Sequence, residues 1–321
     1  MELTLPPCEN LGVFPTPLIK MPELAGVLGI EHLWAKRDDL SGFSWGGNKV
    51  RAAEYLIGSS LASGVTDLVV AGGPTSNFAV IMASAGRRCG IDVHQVAYGN
   101  EPESVPATLL ASRAAGASIV FTGNDDRSEM ETRATDLAER LKAEGRRPLV
   151  VPRGGATPVG SVGFFAAAIE LSDQLQEHGL DDVTVVLPVG SAGSIAGLIA
   201  GQAHLGATWR VIGASVSRPV DEIQDILAAK ASAVCELIGI ESGDELKTAV
   251  SNVELVDCRG DGFGVTSMGE DTLRNDVSQA TGLLIDPSYN AKALLWLASS
   301  NISTGTPIVY WLTGGALNAL P

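Results

Sequence analysis

Basic residues are scarce in this sequence of 321 residues. Lys and Arg together number 22 against 37 Asp and Glu, which gives a formal net charge of −15 at pH 7. Proteins that bind nucleic acid normally present a basic face to the phosphate backbone, and no run of Lys or Arg here exceeds two residues. The composition therefore predicts no nucleic-acid partner, and the acidity is consistent with a role in solubility alone.

Cysteine and histidine are equally sparse, with four of each. Neither residue type shows a spacing typical of metal ligands, and no C-x-x-C pair is present. This pattern fits free thiols in a reducing cytoplasm better than a disulfide framework or a zinc site. We therefore expect a cytoplasmic protein without a metal. The cysteines are Cys8, Cys89, Cys235 and Cys258.

Residues 183–209 lack Asp, Glu, Lys and Arg over a length that would suit a membrane-spanning helix. Pro188 and five glycines interrupt this segment. Its β-branched start, glycine-serine turn and alanine-rich end indicate a buried parallel strand that leads into a helix. The N-terminus lacks the basic and apolar regions of a signal peptide. We expect no membrane partner.

Short β-branched segments alternate with helix-length segments along most of the chain. This alternation is typical of α/β folds, in which helices cover both faces of a mostly parallel sheet. In such folds, ligands bind at the carboxyl ends of the strands. The predicted strands lie at 67–73, 92–99, 117–123, 148–155, 183–190, 209–216 and 306–315, and the clearest predicted helices at 77–88, 128–144, 160–177 and 194–205.

The loop PVGSAGSIAGL at 188–198 follows a predicted strand and opens a predicted helix. A Walker A loop needs Gly-Lys-Ser/Thr, and a dinucleotide fingerprint needs G-x-G-x-x-G followed by an acidic residue; neither is present. Backbone N–H groups, two hydroxyls and a helix N-terminus would still bind an anion. The loop therefore favours a compact monophosphate over ATP or NAD. Its predicted phosphate contacts are Gly190, Ser191, Ala192, Gly193 and Ser194.

Lys49 is one of seven lysines, and it follows two glycines and Asn48 at a predicted helix start, GGNKVRAAEYL. The helix dipole disfavours a cation there, and nearby cations with partial burial would lower the pKa of the amine. A neutral amine is a nucleophile for aldehydes. Together with the phosphate loop, this predicts pyridoxal 5′-phosphate (PLP), which carries an aldehyde and one phosphate. The alternative is a surface lysine whose stem covers apolar neighbours.

A second glycine loop, AGGPTSNFAV at 71–80, places Thr75, Ser76 and Asn77 at the start of a predicted helix. One of these side chains can simply cap the helix. Alternatively, the turn binds an anion such as a substrate carboxylate. Both interpretations remain open at this point.

With these motifs, the chain resembles the fold-type II PLP enzymes, specifically the branch that holds D-cysteine desulfhydrase and 1-aminocyclopropane-1-carboxylate (ACC) deaminase. The resemblance runs almost from end to end. The motifs are FPTPL (14–18), KRDDLSG (36–42), GGNKVRAAEYL (46–56), GGPTSN (72–77), RGGATPVGSVGF (153–164), GSAGSIAGL (190–198), DPSYNAKA (286–293) and LTGG (312–315).

This resemblance implies a fold like that of the tryptophan synthase β subunit. Two open, twisted, mostly parallel sheets carry helices on both faces. A large PLP-binding domain would comprise residues 1–47 and 163–321, and a small domain residues 48–162, with PLP in the cleft between them. The family usually forms homodimers.

The resemblance also implies roles for individual residues. Lys49 would bind the PLP aldehyde covalently, and Asn77 would hydrogen-bond the phenolic oxygen of PLP. Ser76 would lie beside the substrate carboxylate and Cα and assist proton transfer. Tyr289 would be the active-site tyrosine of the D-P-x-Y motif, and Asn290 would face the pyridine nitrogen. Further cofactor contacts are expected from Asn48 and Thr313, and the substrate site is expected to comprise Thr75, Ser76, Asn77, Phe78, Phe263 and Tyr289.

Four positions depart from the family pattern. Phe78 replaces a polar residue, Phe263 replaces a tyrosine, Thr266 replaces a proline, and Asn290 stands where ACC deaminase has a glutamate. A carboxylate keeps the pyridine nitrogen protonated and makes the ring a strong electron sink. Without it, β-elimination from a small cysteine-like amino acid, which yields pyruvate, ammonia and the leaving group, is favoured over ACC ring opening. The alternatives are an ACC-deaminase-like enzyme, a β-replacement enzyme of a specialised biosynthetic pathway, and a PLP-binding protein without turnover.

Overall fold

The computed structural model describes residues 3–300, 302 and 305–319. Within these residues ten strands form two separate sheets, and eleven α-helices cover them. The strands are β1 (Leu18–Lys20), β2 (Leu33–Arg37), β3 (Asp67–Ala71), β4 (Asp92–Ala97), β5 (Ser118–Phe121), β6 (Pro148–Val151), β7 (Thr184–Val189), β8 (Arg210–Ser215), β9 (Glu254–Asp257) and β10 (Ile308–Leu312). The helices are α1 (Pro22–Leu28), α2 (Lys49–Ala62), α3 (Asn77–Cys89), α4 (Ala107–Ala114), α5 (Glu129–Ala143), α6 (Pro158–His178), α7 (Gly193–Leu205), α8 (Val220–Leu237), α9 (Asp244–Ser251), α10 (Met268–Thr281) and α11 (Asn290–Ser299).

The larger sheet has the strand order β1-β2-β10-β7-β8-β9. All its neighbouring strands are parallel except β1, which pairs antiparallel with β2. Successive residues of β7 pack into cores on opposite faces: Val185 and Leu187 lie with α6 to α9, whereas Val186 lies with α1, α10 and α11. Burial of both faces explains why this strand is apolar from Val185 to Val189.

The smaller sheet has the order β5-β4-β3-β6 and is parallel throughout. Leu68 and Val70 of β3 pack with α2 and α3, and Val69 packs on the other face with α5. This sheet lies within residues 67–151, and the larger one uses residues before 38 and after 183. The predicted boundary between residues 162 and 163 falls inside α6, and the division into two domains stays a prediction.

The α/β class and all seven predicted strands are confirmed. Each strand ends one to four residues before its predicted carboxyl end. The four clearest helices are also present. Three short strands were not predicted: β1, β2 and β9. They have three to five residues each, and β2 carries Lys36 and Arg37, so an apolar pattern does not single them out.

Two glycines let α6 approach its neighbours very closely. A Cβ on Gly163 would lie 2.3 Å from the backbone oxygen of Arg51 in α2. A Cβ on Gly197 of α7 would lie 2.0 Å from the backbone oxygen of Ser161 in α6. Such distances exclude any side chain at these positions. Helix α6 therefore holds α2 and α7 on either side of itself, and both of those helices begin at the same edge of the molecule.

A buried ionic network joins β2, α2 and α6. Arg51 donates from Nε and Nη2 to the two carboxylate oxygens of Asp38, at 2.9 and 2.8 Å, and from Nη1 to Glu170 at 2.9 Å. Lys36, which is fully buried, donates to Glu170 and, at 2.6 Å, to the backbone oxygen of Thr16. Burial alone would raise the pKa of Glu170, but hydrogen bonds and charges from Arg51 and Lys36 lower it.

Two classes of feature are absent from the described part of the chain. No helix there has the length and apolar character needed to cross a membrane. The same residues contain no group of three or more His, Cys, Asp or Glu side chains arranged to hold a metal ion.

Asp38→Asn should destabilise the protein by about 3 kcal/mol, because loss of one charge leaves part of a buried cation uncompensated. Urea unfolding with a constant slope is the measurement. Glu139→Gln is the control: it breaks an exposed pair with Lys142 and should change the free energy of unfolding by less than about 0.5 kcal/mol. A loss for Asp38→Asn as small as that of the control would show that the network does not stabilise the fold.

Candidate active site

A cavity of about 420 Å³ lies where the carboxyl ends of strands from both sheets meet. The N-termini of α2, α3 and α7 all open onto it, because Lys49, Asn77 and Gly193 line its wall. Thr313 and Gly314, which follow β10, lie on the same wall. The two glycine loops and the lysine singled out in the sequence thus converge on one space.

Lys49 is the first residue of α2, and its side chain faces the cavity. Burial lowers the pKa of its amine from 10.5 to about 8. Desolvation is the cause, rather than the nearby cations expected from the sequence. A Cβ on Gly154 would lie 3.7 Å from Lys49 Nζ. This glycine, which follows β6, therefore borders the amine, and the amine is a nucleophile once it is neutral.

The loop before α7 presents backbone N–H groups to the cavity. Ala192 takes a left-handed conformation, with φ of 62°, and no side chain caps the helix. Within the described residues, the N–H groups of 192–195 have no hydrogen-bond acceptor. Asn48 donates to the hydroxyl of Ser194 at 3.1 Å and thereby ties α2 to this loop. Free N–H groups at a helix N-terminus are the usual partners of a phosphate.

The second loop combines both roles left open by the sequence. Ser76 caps α3 by accepting a hydrogen bond from the N–H of Ala79 at 3.2 Å. Its hydroxyl hydrogen remains available to a ligand. Thr75 and Asn77 also line the cavity, and the Asn77 amide lies 3.0 Å from where a Cβ on Gly315 would stand. Gly315 has a φ of 103° and thus suits this close approach.

Asn290 does not line the cavity, in contrast to its expected position. It is 1% exposed and lies behind Thr313, where its amide group donates to Asp286, Gly314 and the Thr313 hydroxyl at 2.6, 2.9 and 3.0 Å. Its oxygen accepts from Tyr310 at 3.1 Å. These contacts occupy the whole carboxamide. Thr313, which does line the cavity, is therefore the better candidate for the residue beside the pyridine nitrogen.

Tyr289 lies over the phosphate loop, since a Cβ on Gly190 would stand 3.0 Å from its ring. Burial, reinforced by the charge of Asp286, raises the pKa of the Tyr289 phenol to about 12. The ring of Phe263 meets Tyr289 edge-on, with 5.5 Å between centroids. Phe78 also borders the cavity, but it is 2% exposed and packs in the core beneath it.

Several residues at this cavity were not predicted. Their positions follow strands of the smaller sheet or the loop after β8, and a search of every strand end could have found them. Arg153 binds Glu131 at 2.6 Å, and Arg218 binds Glu222. Besides these pairs, the unpredicted lining residues include Tyr98, Asp126, Arg127, Ser128, Gly154 and Ser217.

These residues fit PLP. The uncapped N-terminus of α7 supplies N–H donors for a phosphate, and Lys49 supplies an unpaired amine for an aldehyde. Asn77, Asn48 and Thr313 add polar groups around the same space. The individual assignments to cofactor and substrate stay predictions.

Comparisons with known proteins point the same way. A family model described as "Pyridoxal-phosphate dependent enzyme" matches residues 9–314. A putative 1-aminocyclopropane-1-carboxylate deaminase of Pyrococcus abyssi is 32% identical over 317 residues, which cover 98% of this chain and 91% of that protein. A D-cysteine desulfhydrase of Salmonella newport is 32% identical over 324 residues, which cover 97% and 94%.

Solved structures agree with the observed fold. The crystal structure of an ACC deaminase homologue has a TM-score of 0.87 at 29% identity and covers 98% of this chain and 93% of its own. The structure of maize serine racemase has a TM-score of 0.62 at 18% identity, over 94% of this chain and 88% of its own. The second match concerns the fold alone. The fold-type II architecture expected from the motifs is confirmed.

Removal of the Lys49 amine should stabilise the apoprotein near neutral pH. Because the pKa is lowered in the folded state, the unfolded chain binds more protons between about pH 8 and pH 10.5, and stability rises with pH across that window. Lys49→Met should therefore gain on the order of 2 kcal/mol at pH 7, and less at pH 9.5. Lys247→Met, at an exposed position, is the control. Equal changes in the free energy of unfolding for the two variants, measured in urea, would contradict burial of the Lys49 amine.

Ser194→Asp should weaken PLP binding without loss of stability. It places a carboxylate in the first turn of α7, which favours the helix by about 0.3–1 kcal/mol but repels a phosphate. We expect the Kd for PLP, from absorbance titration of the apoprotein, to rise at least ~30-fold, or about 2 kcal/mol. Ser194→Ala controls for the lost hydroxyl and should cost less than ~5-fold. Gly193 is less suitable, because its Cβ would lie 3.1 Å from Ala156. Wild-type affinity in Ser194→Asp would place the phosphate elsewhere.

Proposed function

Because the chain belongs to the pyridoxal-phosphate-dependent enzyme family, as its motifs predicted, we propose that it is a lyase that removes a β-substituent from a small amino acid. The reaction takes the α-proton, breaks the bond between Cβ and the leaving group, and yields pyruvate and ammonia after water attacks. When bound, PLP supplies the electron sink that makes the α-proton acidic. A cysteine-like amino acid, with a thiol as its leaving group, is the proposed substrate.

One observation carries this proposal: the cavity holds an amine and a phenol whose pKa values are shifted in opposite directions by the same desolvation. Desolvation lowers the pKa of Lys49 to about 8 and raises that of Tyr289 to about 12. Near neutral pH, a useful fraction of Lys49 is unprotonated and can take a proton, whereas Tyr289 holds one. Groups whose environments separate their pKa values in this way serve as base and acid.

The residue proposed to lie beside the pyridine nitrogen is a neutral hydroxyl. Thr313 accepts a hydrogen bond from Asn290 at 3.0 Å, so its own hydrogen remains free to be donated into the cavity. A donor at this position favours an unprotonated nitrogen and thus a weaker electron sink than a carboxylate would provide. Loss of a thiolate, a stable leaving group, needs less electron withdrawal than the opening of a cyclopropane ring. This supports elimination over ring opening.

The remaining wall supports the same choice. The ring-opening enzymes that this chain resembles have a tyrosine at the position of Phe263. Phe263 lacks the hydroxyl of that tyrosine. Tyr289 remains, with Ser76 at the N-terminus of α3 as a second hydroxyl. Ser76 accepts from the helix and keeps a hydrogen to donate, which suits a role beside the substrate carboxylate. The homodimer, the cytoplasmic location and the two-domain division stay predictions.

Elimination from cysteine should outrun ACC ring opening by at least ~10²-fold in kcat/KM, or about 2.7 kcal/mol in transition-state stabilisation. The measurement follows pyruvate and sulfide from both cysteine enantiomers, and 2-oxobutyrate from ACC, in one preparation of the PLP-loaded protein. Lys49→Ala is the control and should form none of these products at a measurable rate. Faster formation of 2-oxobutyrate would overturn the proposal. Absence of every product, with PLP bound, would favour a β-replacement enzyme or a PLP-binding protein without turnover.

A further inference from the structure

Three arginines line the cavity, and they differ in their partners. Arg153 donates to Glu131, and Arg218 donates to Glu222. Arg127, in the loop between β5 and α5, has no carboxylate within ion-pair distance and no hydrogen-bond acceptor among the residues that the structure describes. Its Nε is buried and unpartnered. A buried donor without an acceptor costs free energy, so this position is built for a group that arrives later.

Aromatic rings hold the Arg127 side chain in place. Its guanidinium carbon lies 4.3 Å from the centroid of the Phe263 ring and 5.8 Å from that of Tyr98. Stacking on a ring face orients a guanidinium without using its N–H groups. Phe263 in turn meets Tyr289 edge-on. Phe263 thus provides an aromatic face for a cation beside the proposed acid.

The nearest acidic residue in sequence does not neutralise Arg127. The Asp126 carboxylate accepts from the backbone N–H and the hydroxyl of Ser128, at 2.9 and 2.8 Å. Those hydrogen bonds lower the pKa of Asp126 and fix its orientation. Within the described part of the chain, Arg127 therefore keeps its full charge for a ligand.

The other anions expected in the cavity have sites of their own. The N-terminus of α7 provides N–H groups for the cofactor phosphate, and the Ser76–Asn77 turn provides donors for the α-carboxylate of an amino acid. Arg127 belongs to neither group of donors: it lies in the loop between β5 and α5 and stacks on the ring of Phe263. A guanidinium binds planar carboxylate and sulfonate groups through paired N–H donors.

We propose that Arg127 is a specificity-determining residue that binds an acidic group on the substrate's side chain. The substrate class is then a small amino acid that carries the β leaving group, such as a thiol, and in addition a carboxylate or sulfonate on its side chain. This inference rests on the proposed function, since it names the side chain that the lyase would accept. It requires no covalent step, because the contact is an ion pair.

The test compares an isosteric pair of ligands, aspartate and asparagine, in both enantiomers. The Kd of each for the PLP-loaded protein is measured from the change in cofactor absorbance. The wild-type protein should bind one enantiomer of aspartate at least ~30-fold more tightly than the matching asparagine. In Arg127→Gln this ratio should fall below ~3-fold. Arg127→Lys should retain part of the ratio, because the charge remains but the paired N–H donors of the guanidinium are lost.

Arg133→Gln controls for net charge, since it removes one exposed arginine from the same segment and should preserve the wild-type ratio. Equal wild-type affinity for aspartate and asparagine would overturn the inference and leave the proposed function intact. So would an equal loss of affinity for both ligands in Arg127→Gln, which would assign Arg127 to the α-carboxylate. A loaded wild-type protein that binds no amino acid would overturn both proposals.

Discussion

The site depends on the ion pairs that Arg51 makes inside the protein. Arg51 lies two residues after Lys49 on α2, so whatever fixes the first turn of that helix also fixes the amine. Asp38 and Glu170 hold its guanidinium from the end of β2 and from α6. A buried ionic cluster of this kind is a poor source of net stability, because desolvation offsets most of the attraction. We attribute its presence to orientation: it fixes α2 against two other elements at the end where the cavity lies.

Close helix packing extends this constraint to the phosphate loop. Gly163 lets α6 touch the backbone of α2, and Gly197 lets α7 touch the backbone of α6. With no side chains between them, the three helices have little freedom to slide. The N-termini of α2 and α7 therefore meet at one cavity, where the Asn48–Ser194 hydrogen bond joins them. The distance between the amine and the anion site is thus set by helix packing about one turn behind each group.

Sequence patterns predicted the regular elements well, and the site only in part. Strands such as β7 are apolar over most of their length and are followed by glycine, and so both the strand and its ligand loop were predictable. Asn290 was assigned to the cofactor because the family resemblance places it opposite the pyridine nitrogen, but its amide group donates to Asp286 and Thr313 behind the cavity wall. Hydrogen bonds between segments distant in sequence decide which neighbour faces the cavity. Arg127 could not be predicted for the same reason. Only the fold reveals that its guanidinium stacks on an aromatic ring and that it has no carboxylate partner among the described residues.

The negative net charge of the chain makes the short-range anion-binding groups of the cavity important. The chain carries a formal net charge of −15, and a field of that sign repels anionic ligands at long range. Cofactor phosphate and amino-acid carboxylate must therefore be attracted by short-range groups in a desolvated cavity, where each interaction is stronger than in water. The α7 N-terminus supplies partial charges from backbone dipoles, and Lys49 loses its own charge readily. Arg127 is the one cavity arginine without a carboxylate partner among the described residues. It therefore places a full positive charge at the cavity of a protein whose net charge is negative.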